Sequence, residues 1–446
     1  MNSRDIALNI LMDINENGAF SNYTINKHLK GKENIKDENL IREIVYGGIE
    51  NLLYLDYIIS KASKIKLKKI HPRVLEILRM GVYQIVFMDK IPDRAAVNEA
   101  VNLSKEYGHK GISGFVNGVL RNISRNKEEM MKIDKVDDKD YLSIKYSHPK
   151  WLVERWIEEF GYEFTENLCQ GNNSRPKLNI RVNTLTTTRD ELVERLSQYG
   201  YIVHKTNYAS DGIIIDNPTR ITELDEFNQG YFTIQDESSM LVAQIANPKE
   251  NSFVLDICSA PGGKSTHIAQ LMNNKGKIIS RDIYEHKLNL VRQNASRLGI
   301  NIINTESFDA INLDRDLIGK IDYCIVDAPC SGLGIIRRRP EIKWNRKQED
   351  IDDLNKIQRK ILNNAKEYVK PGGIIIYSTC TIGREENMDV INDFLDNNKE
   401  FQLFGFEDLI CSNENIETSK NGYIQLFPHI NNTDGFFIAR IQKNRS

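Results

Sequence analysis

A chain of 446 residues is long enough for about three domains at roughly 150 residues each. Lys and Arg number 60 against 62 Asp and Glu, a net charge of -2, so no overall basicity announces a polyanionic partner and any nucleic-acid surface has to be local. No stretch approaches the roughly 20 apolar residues of a membrane span, the start lacks a charged segment followed by a long apolar run, and the six cysteines contain no C-x-x-C pair. The expectation is a soluble, cytoplasmic protein with no membrane partner, no disulfide framework and no metal site.

Residues 1 to about 125 read as entirely helical. Ser3 is placed to cap a helix carrying Ile6, Ile10, Leu11 and Ile14, and Asp37 to cap another carrying Leu40, Ile41, Ile44, Val45, Ile49, Leu52 and Leu53. Pro72 opens a third at its permitted first-turn position, Pro92 and Asp93 introduce a fourth, and Gly111 and Ser113 a fifth, so a bundle of about five helices is predicted. Lys61, Lys64, Lys66, Lys68, Lys69 and Arg73 lie between the second and third helices, as either a solvated helix end or an RNA-phosphate contact.

The charged run from Asn126 to Asp140 reads as a linker. Beyond it, Trp151, Leu152, Trp156 and Phe160 mark an amphipathic helix, Leu178 to Val182 a strand, Arg189 to Tyr199 a helix and Ile213 to Ile215 a strand, the makings of a small α+β module. Arg181, Asn183 and Thr184 at its first strand end either line a substrate cleft or form a structural turn.

From Gln235 the pattern alternates strand and helix, which implies a parallel sheet built of βαβ units. The expected strands are Phe253 to Ile257, Lys277 to Ser280, Ile302 to Glu306, Tyr323 to Val326, Gly373 to Tyr377 and Phe436 to Gln442, the last returning antiparallel at the edge. The first runs through Cys258, Ser259, Ala260, Pro261, Gly262, Gly263 and Lys264 into a helix beginning near Ser265. This loop is neither a dinucleotide fingerprint nor a Walker A loop, because position 257 is Ile and not Gly. Its glycines let a ligand approach the backbone and the helix N-terminus favours an anion such as a carboxylate, although a plain tight turn has the same composition. Asp282, about 20 residues on at the end of the second strand, stands where an acid takes a ribose diol, and Asp309 after the third strand is placed for an adenine edge; capping is the alternative for both.

The fourth and fifth strands break into I-V-D-A-P-C-S-G-L-G and Y-S-T-C-T, delivering Cys330 and Cys380 to two strand-end loops, where an open α/β sheet forms its ligand crevice. A thiol is the best side-chain nucleophile near neutral pH, and Asp327, three residues before Cys330, can move a proton. Arg337, Arg338, Arg339, Lys343 and Arg346, with Trp344 interleaved, form a basic run beside this loop, either a solvated face or a site of phosphate contact and base stacking.

The runs D-I-C-S-A-P-G-G-K, D-A-P-C-S-G-L-G, R-R-R-P-E-I-K-W and S-T-C-T, in this order, resemble the S-adenosylmethionine-dependent RNA 5-methylcytosine methyltransferases of the NOL1/NOP2/sun family. I-P-D-R-A-A-V-N-E-A-V-N-L-S-K and G-F-V-N-G-V-L-R-N resemble a NusB-like RNA-binding domain. The resemblance implies a NusB-like domain over 1–130, a small α+β module over 141–246 and a Rossmann-like methyltransferase domain over 247–446. It implies S-adenosyl-L-methionine as cofactor, 16S rRNA as partner and a cytosine at position 967 as target; a monomer is the expectation, although the sequence itself does not fix the oligomeric state.

Cytosine C5 is too poor a nucleophile to accept a methyl group until a thiolate adds at C6. By the family's pattern Cys380 is that nucleophile, Asp327 hydrogen-bonds N3 and borders the methyl donor, and Cys330 assists release of the product. Lys264 holds the donor's carboxylate, keeps a thiol's pKa low, or both. The target base has to be unstacked or flipped to meet a thiol. A non-catalytic RNA-binding or antitermination factor, a methyltransferase acting on another RNA, and a DNA cytosine-5 methyltransferase are the alternatives. Both cysteines, Asp327 and the P-G-G-K loop argue against the first, and the S-T-C-T cysteine against the last.

Overall fold

The computed structural model describes residues 3–30, 37–108, 110–134, 137–216, 218 and 220–445. The chain divides into two compact units, one of Met1–Ser174 with Ile336–Asn345, the other of Arg175–Ile335 with Arg346–Ser446. Among the described residues no helix is long and apolar enough to cross a membrane.

The first unit is all helical. Where about five helices are expected before residue 126, the described residues form seven: Ser3–Asn17, Ser21–Leu29, Glu38–Glu50, Leu52–Ala62, Pro72–Phe87, Asp93–Glu106 and Lys110–Arg125. The run expected as one helix from Asp37 breaks at Asn51, whose amide closes the first helix on Gly47 O while its own carbonyl starts the next. The helix Ser21–Leu29 buries only Ser21, Thr24 and Ile25, too weak a stripe to read as periodic. Pro72–Phe87 runs through the core with Ile77, Leu78, Val82 and Ile85 almost fully buried, and Pro72 occupies the first turn, where its missing N–H costs nothing. Ser3 does not cap its helix through its side chain; its hydroxyl donates to Asp37 at 3.1 Å. The charged stretch expected as a linker contains the helix Lys127–Met131, pinned by buried Met130, and the unit continues through Asp138–Tyr146, Lys150–Phe160 and Tyr162–Asn172.

The second unit holds two sheets. The smaller is antiparallel in the order β2-β3-β1-β4, with β1 Leu178–Val182, β2 Ile202–Lys205, β3 Gly212–Asp216 and β4 Phe232–Ile234. Helix Arg189–Gln198, opened by a capping box between Thr188 and Glu191, packs Leu192 and Leu196 onto Ile180, Val182, Ile213 and Phe232. These are the expected α+β elements from Leu178 on, with β2 and β4 added, whereas the amphipathic helix expected at the start of the module, Lys150–Phe160, lies in the helical unit.

The larger sheet is built of β5 Phe253–Asp256, β6 Lys277–Asp282, β7 Ile303–Ser307, β8 Ile321–Asp327, β9 Val369–Thr379, β10 Phe401–Leu403, β11 Tyr423–Leu426 and β12 Phe436–Lys443. Its order is β10-β12-β9-β8-β5-β6-β7, with β11 also paired to β12. Strands β5 to β9 pair in parallel and β12 is antiparallel to β9, as expected. It is not the edge, however, because β10 and β11 pair on its far side. The chain leaves β5 for β6 and β7 on one side and β8 and β9 on the other, so the order reverses between β5 and β8 and opens a crevice at their carboxyl ends.

Candidate active site

The glycine loop leaves β5 after Asp256 and enters the helix Gly263–Leu271. Gly262 sits at φ +97°, and a Cβ there would lie 3.0 Å from Val291, so the turn accepts only glycine without strain. The loop is tied down from both ends: Ser259 N–H donates to Arg281 O at 2.8 Å and Gly262 N–H to Ser259 O at 2.7 Å. Ser259 is buried, Cys258, Ala260 and Gly263 are half-buried, and Pro261 is exposed, its carbonyl accepting from the Asn294 amide at 3.1 Å. Burial, with Asp256, Asp327 and Asp282 nearby, pushes the Cys258 thiol well up. Asp256, itself buried beneath the loop, accepts from the Ser265 hydroxyl at 2.5 Å; burial raises its pKa to about 7 against that hydrogen bond.

Arg181 is the loop's support from the small module. Its guanidinium, almost wholly buried, donates to Gly263 O at 2.6 Å, to Thr266 Oγ1 at 3.0 Å and to Gln235 Oε1. Asn183 is equally buried and donates to Gly230 O and Leu298 O at 2.8 and 3.0 Å. The cleft reading of this strand end is therefore corrected: Arg181 and Asn183 are internal bolts, and only Thr184 is exposed.

Asp282 and Asp309 are half-buried at the ends of β6 and just after β7. Each accepts one local backbone bond, Asp282 from Tyr284 N–H at 3.0 Å and Asp309 from Ile311 N–H at 3.1 Å. Arg281, between strand and acid, is buried and paired with Glu306 at 2.7 Å and Asp314 at 2.6 Å.

Asp327 ends β8 opposite Ser378 of β9, a register that aligns the two cysteine loops. Cys330 Sγ and Cys380 Sγ lie 3.1 Å apart, and Cys380 N–H donates to Cys330 Sγ at 3.3 Å. The loops are laced by Gly334 N–H to Cys380 O at 3.0 Å and Gly435 N–H to Gly334 O at 2.8 Å. A Cβ on Gly334 would fall 1.9 Å from Gly435 O, so this approach requires glycine. Asp327 accepts from Lys264 Nζ at 2.6 Å on one oxygen and from the Ser378 hydroxyl at 2.8 Å on the other. Burial opposes the charge on Lys264, but Asp327 with Asp256 and Cys380 outweighs it and holds the ammonium's pKa up. The Cys330 thiol is pushed well up, first by its hydrogen bond to Cys380, then by burial and by the charges of Cys380, Glu386 and Asp327. Either sulfur can donate across the 3.1 Å contact.

The cysteines, Asp327 and Lys264 are brought together, and the glycine loop, Asp282 and Asp309 line the ends of neighbouring strands. Ser378 and Asp256 escaped the sequence reading; Ser378 directly precedes T-C-T, and its place opposite Asp327 in a parallel pair is the signal that was available. The basic run is a correction. Arg337 and Lys343 are buried, and residues 336–345 belong to the helical unit. Lys343 Nζ donates to Glu50 O at 2.9 Å and Asn173 Oδ1 at 3.4 Å, and the Trp344 indole donates to Ile49 O at 2.9 Å. Arg346 Nε donates to Ser331 O at 2.9 Å. Of the run only Arg339 is fully exposed, so it is no RNA-stacking surface.

A doubly wound sheet with a glycine loop after its first strand and two apposed thiols over its switch point defines a methyltransferase domain. Residues 243–442 match the family model described as 16S rRNA methyltransferase RsmB/F, residues 1–125 match the NusB family, and residues 148–222 match the ferredoxin-like domain of RsmF/B-like methyltransferases. The probable ribosomal RNA small subunit methyltransferase B of Bacillus subtilis (strain 168) is 41% identical over 99% of this chain and 98% of its own length. The ribosomal RNA small subunit methyltransferase B of Proteus mirabilis (strain HI4320) is 32% identical over 99% of each. Among solved structures, PH0851 superposes with a TM-score of 0.82 at 26% identity over 99% of both chains. NSun6 from Pyrococcus horikoshii with SFG gives 0.59 at 25% identity over 67% of this chain and 99% of that one. The chain belongs to the RsmB/F family of 16S rRNA methyltransferases.

Proposed function

We propose that this chain transfers a methyl group from S-adenosylmethionine to C5 of a cytosine in 16S rRNA, the 967 target, through a covalent bond between Cys380 and C6. The observation that carries the reading is the 3.1 Å separation of two thiols on adjoining strand-end loops, with Lys264 and Asp327 paired beside them.

The residues present fit the donor. Gly262 takes the left-handed turn against Val291 that leads into the helix, the Gly263 helix N-terminus suits a carboxylate, and Asp282 and Asp309 suit a ribose diol and an adenine edge. Cys258, Ser259, Ala260 and Pro261 form the loop that leads into that helix N-terminus. When bound, the donor supplies an electrophilic methyl on a sulfonium.

The Cys380 thiolate adds to C6, the C5=C6 π electrons shift into the ring, and N3 takes a proton from the Lys264–Asp327 pair. C5, now enamine-like, accepts the methyl group in line. In release the C5 proton passes to the Cys330 sulfur while the Cys330 proton passes to the Cys380 sulfur, the C6–S bond breaks and C5=C6 re-forms. The N3 proton returns to Asp327 and Lys264, and Cys380 loses its proton to solvent before the next turnover. Bonding Cys380 to carbon removes the hydrogen bond and the neighbouring charge that raise the Cys330 pKa, which suits it to this exchange.

In the NusB-like part of the helical unit, residues 1–130, the RNA contact falls to Lys64, Lys66, Lys68 and Lys69, which are exposed. The test is denaturing electrophoresis with 16S rRNA and S-adenosylmethionine. Cys330→Ala is expected to give a slow-moving protein–RNA band, Cys380→Ser to give none and to transfer no methyl group. An active Cys380→Ser enzyme overturns the reading.

A further inference from the structure

The release step needs two thiols that react at different moments within reach of one ring, and groups other than the thiols hold them there. Glu386, in the turn Arg384–Glu386, has no exposed surface. Its Oε1 accepts from the Ser331 N–H at 2.8 Å and the Gln358 amide at 3.0 Å, and its Oε2 accepts from the Ser331 hydroxyl at 2.5 Å. Ser331 follows Cys330. Its hydroxyl proton is committed to Glu386, so in the 2.8 Å contact with Thr381 Oγ1 the threonine donates, and Thr381 follows Cys380. The Gln358 amide also donates to Pro329 O at 2.9 Å, the residue before Cys330, and the Tyr377 hydroxyl donates to Glu386 O at 2.7 Å.

Among the described residues no basic side chain pairs with Glu386. A carboxylate buried without a cation is costly unless several donors converge on it, and a fully satisfied network of this kind enforces one geometry where apolar packing would tolerate several. Every donor here comes from the two cysteine-bearing segments or from Gln358 of the helix Gln348–Tyr368 beside them.

We propose that Glu386 is a positioning residue that, through Ser331 and Thr381, sets the separation of Cys330 and Cys380 for product release. The inference rests on the covalent reading above. Full-length Ser331→Ala, Glu386→Ala and Glu386→Gln enzymes are assayed with 16S rRNA and S-adenosylmethionine for kcat, both KM values and the fraction of enzyme held as denaturation-resistant adduct. Ser331→Ala removes one hydroxyl, and is expected to lower kcat about tenfold, the worth of one such hydrogen bond, with both KM values within about twofold and adduct accumulating. Glu386→Ala moves the same way and further. In Glu386→Gln the amide nitrogen faces Ser331, whose hydroxyl turns to donate to Thr381, so the bridge persists with reversed polarity and kcat returns to within about threefold of the parent.

Because Glu386→Ala empties a buried site and puts folding at risk, Ser331→Ala carries the decision. A lower kcat without adduct, a matching rise in KM, or a Glu386→Gln enzyme as impaired as Glu386→Ala overturns the positioning role. An active Cys380→Ser enzyme, scored separately, overturns the covalent reading and this inference with it.

Discussion

Replacing Arg181 with methionine tests whether the small module supports the cofactor loop. The guanidinium makes charge-assisted bonds to Gly263 O, Thr266 Oγ1 and Gln235 Oε1, each of a kind that contributes about 1.5–3 kcal/mol. Burying that charge with no carboxylate in contact takes back several kcal/mol, and burial accordingly depresses the arginine's pKa, with Asp211 only partly compensating. Methionine restores apolar volume but leaves Gln235 Oε1 buried and unpaired at about 1–3 kcal/mol, while Gly263 O keeps the Thr266 hydroxyl at 3.1 Å. The net loss comes to about 2–4 kcal/mol, which at roughly 2–4 °C per kcal/mol for a unit of this size lowers its melting temperature by roughly 5–15 °C. The transition to follow is the one that rises on adding a donor analogue, since a ligand stabilises the unit that binds it. Calorimetric titration of the analogue should show affinity falling about tenfold as the loop loosens, about 1.4 kcal/mol. Lysine at this position keeps the charge but not the fork, and should recover only part of the loss. A methionine variant melting within about 2 °C of the parent, with unchanged donor affinity, would refute the support role.

Two further outcomes follow from groups in the helical unit. Burial pushes Lys343 down to about 7, so between that pH and the value of the unfolded chain, about 10.4, unfolding takes up a proton and stability rises with pH. Glu50, pushed up to about 7 by burial, has the opposite slope below neutrality. Urea unfolding at pH 7 and pH 9 should show the midpoint rising in the parent and flat in Lys343→Met; equal rises in both would sink the assignment. Changing Lys64, Lys66, Lys68 and Lys69 together to alanine should weaken 16S rRNA binding and flatten its salt dependence by about 0.7–0.9 in log–log slope for each lysine that meets a phosphate. An unchanged slope would remove this segment from the RNA surface.

The groups of the candidate site were legible because each is announced locally. A β-favouring run followed by D-A-P-C or S-T-C-T puts the cysteine just past a strand end, and the parallel order then needs only short-range rules to place both loops over one crevice. The glycine loop and Asp282 were legible for the same reason: glycines at a strand-to-helix turn and an acid one βα unit later are features of single windows. β10 and β11 were missed because they are three and four residues long and exist by pairing with β12. The helix Ser21–Leu29 was missed because its stripe is too thin.

The misread positions share a different cause, which is polarity taken as a sign of exposure. R-R-R-P-E-I-K-W reads as a solvated or phosphate-binding run in any window, yet Lys343 is fully buried because its acceptors, Glu50 O and Asn173 Oδ1, stand 293 and 170 positions away. Arg181 is inside because Gly263 lies 82 residues on, and Glu386 because Ser331 lies 55 residues back. A buried polar side chain is tolerable only when remote partners meet it, so its location is a property of the fold and not of its neighbours in sequence. Such residues also fix distances, since a satisfied buried network has one geometry. In this enzyme, then, the candidate reacting atoms can be named from short motifs, whereas the separations between them depend on polar residues whose role no local pattern discloses.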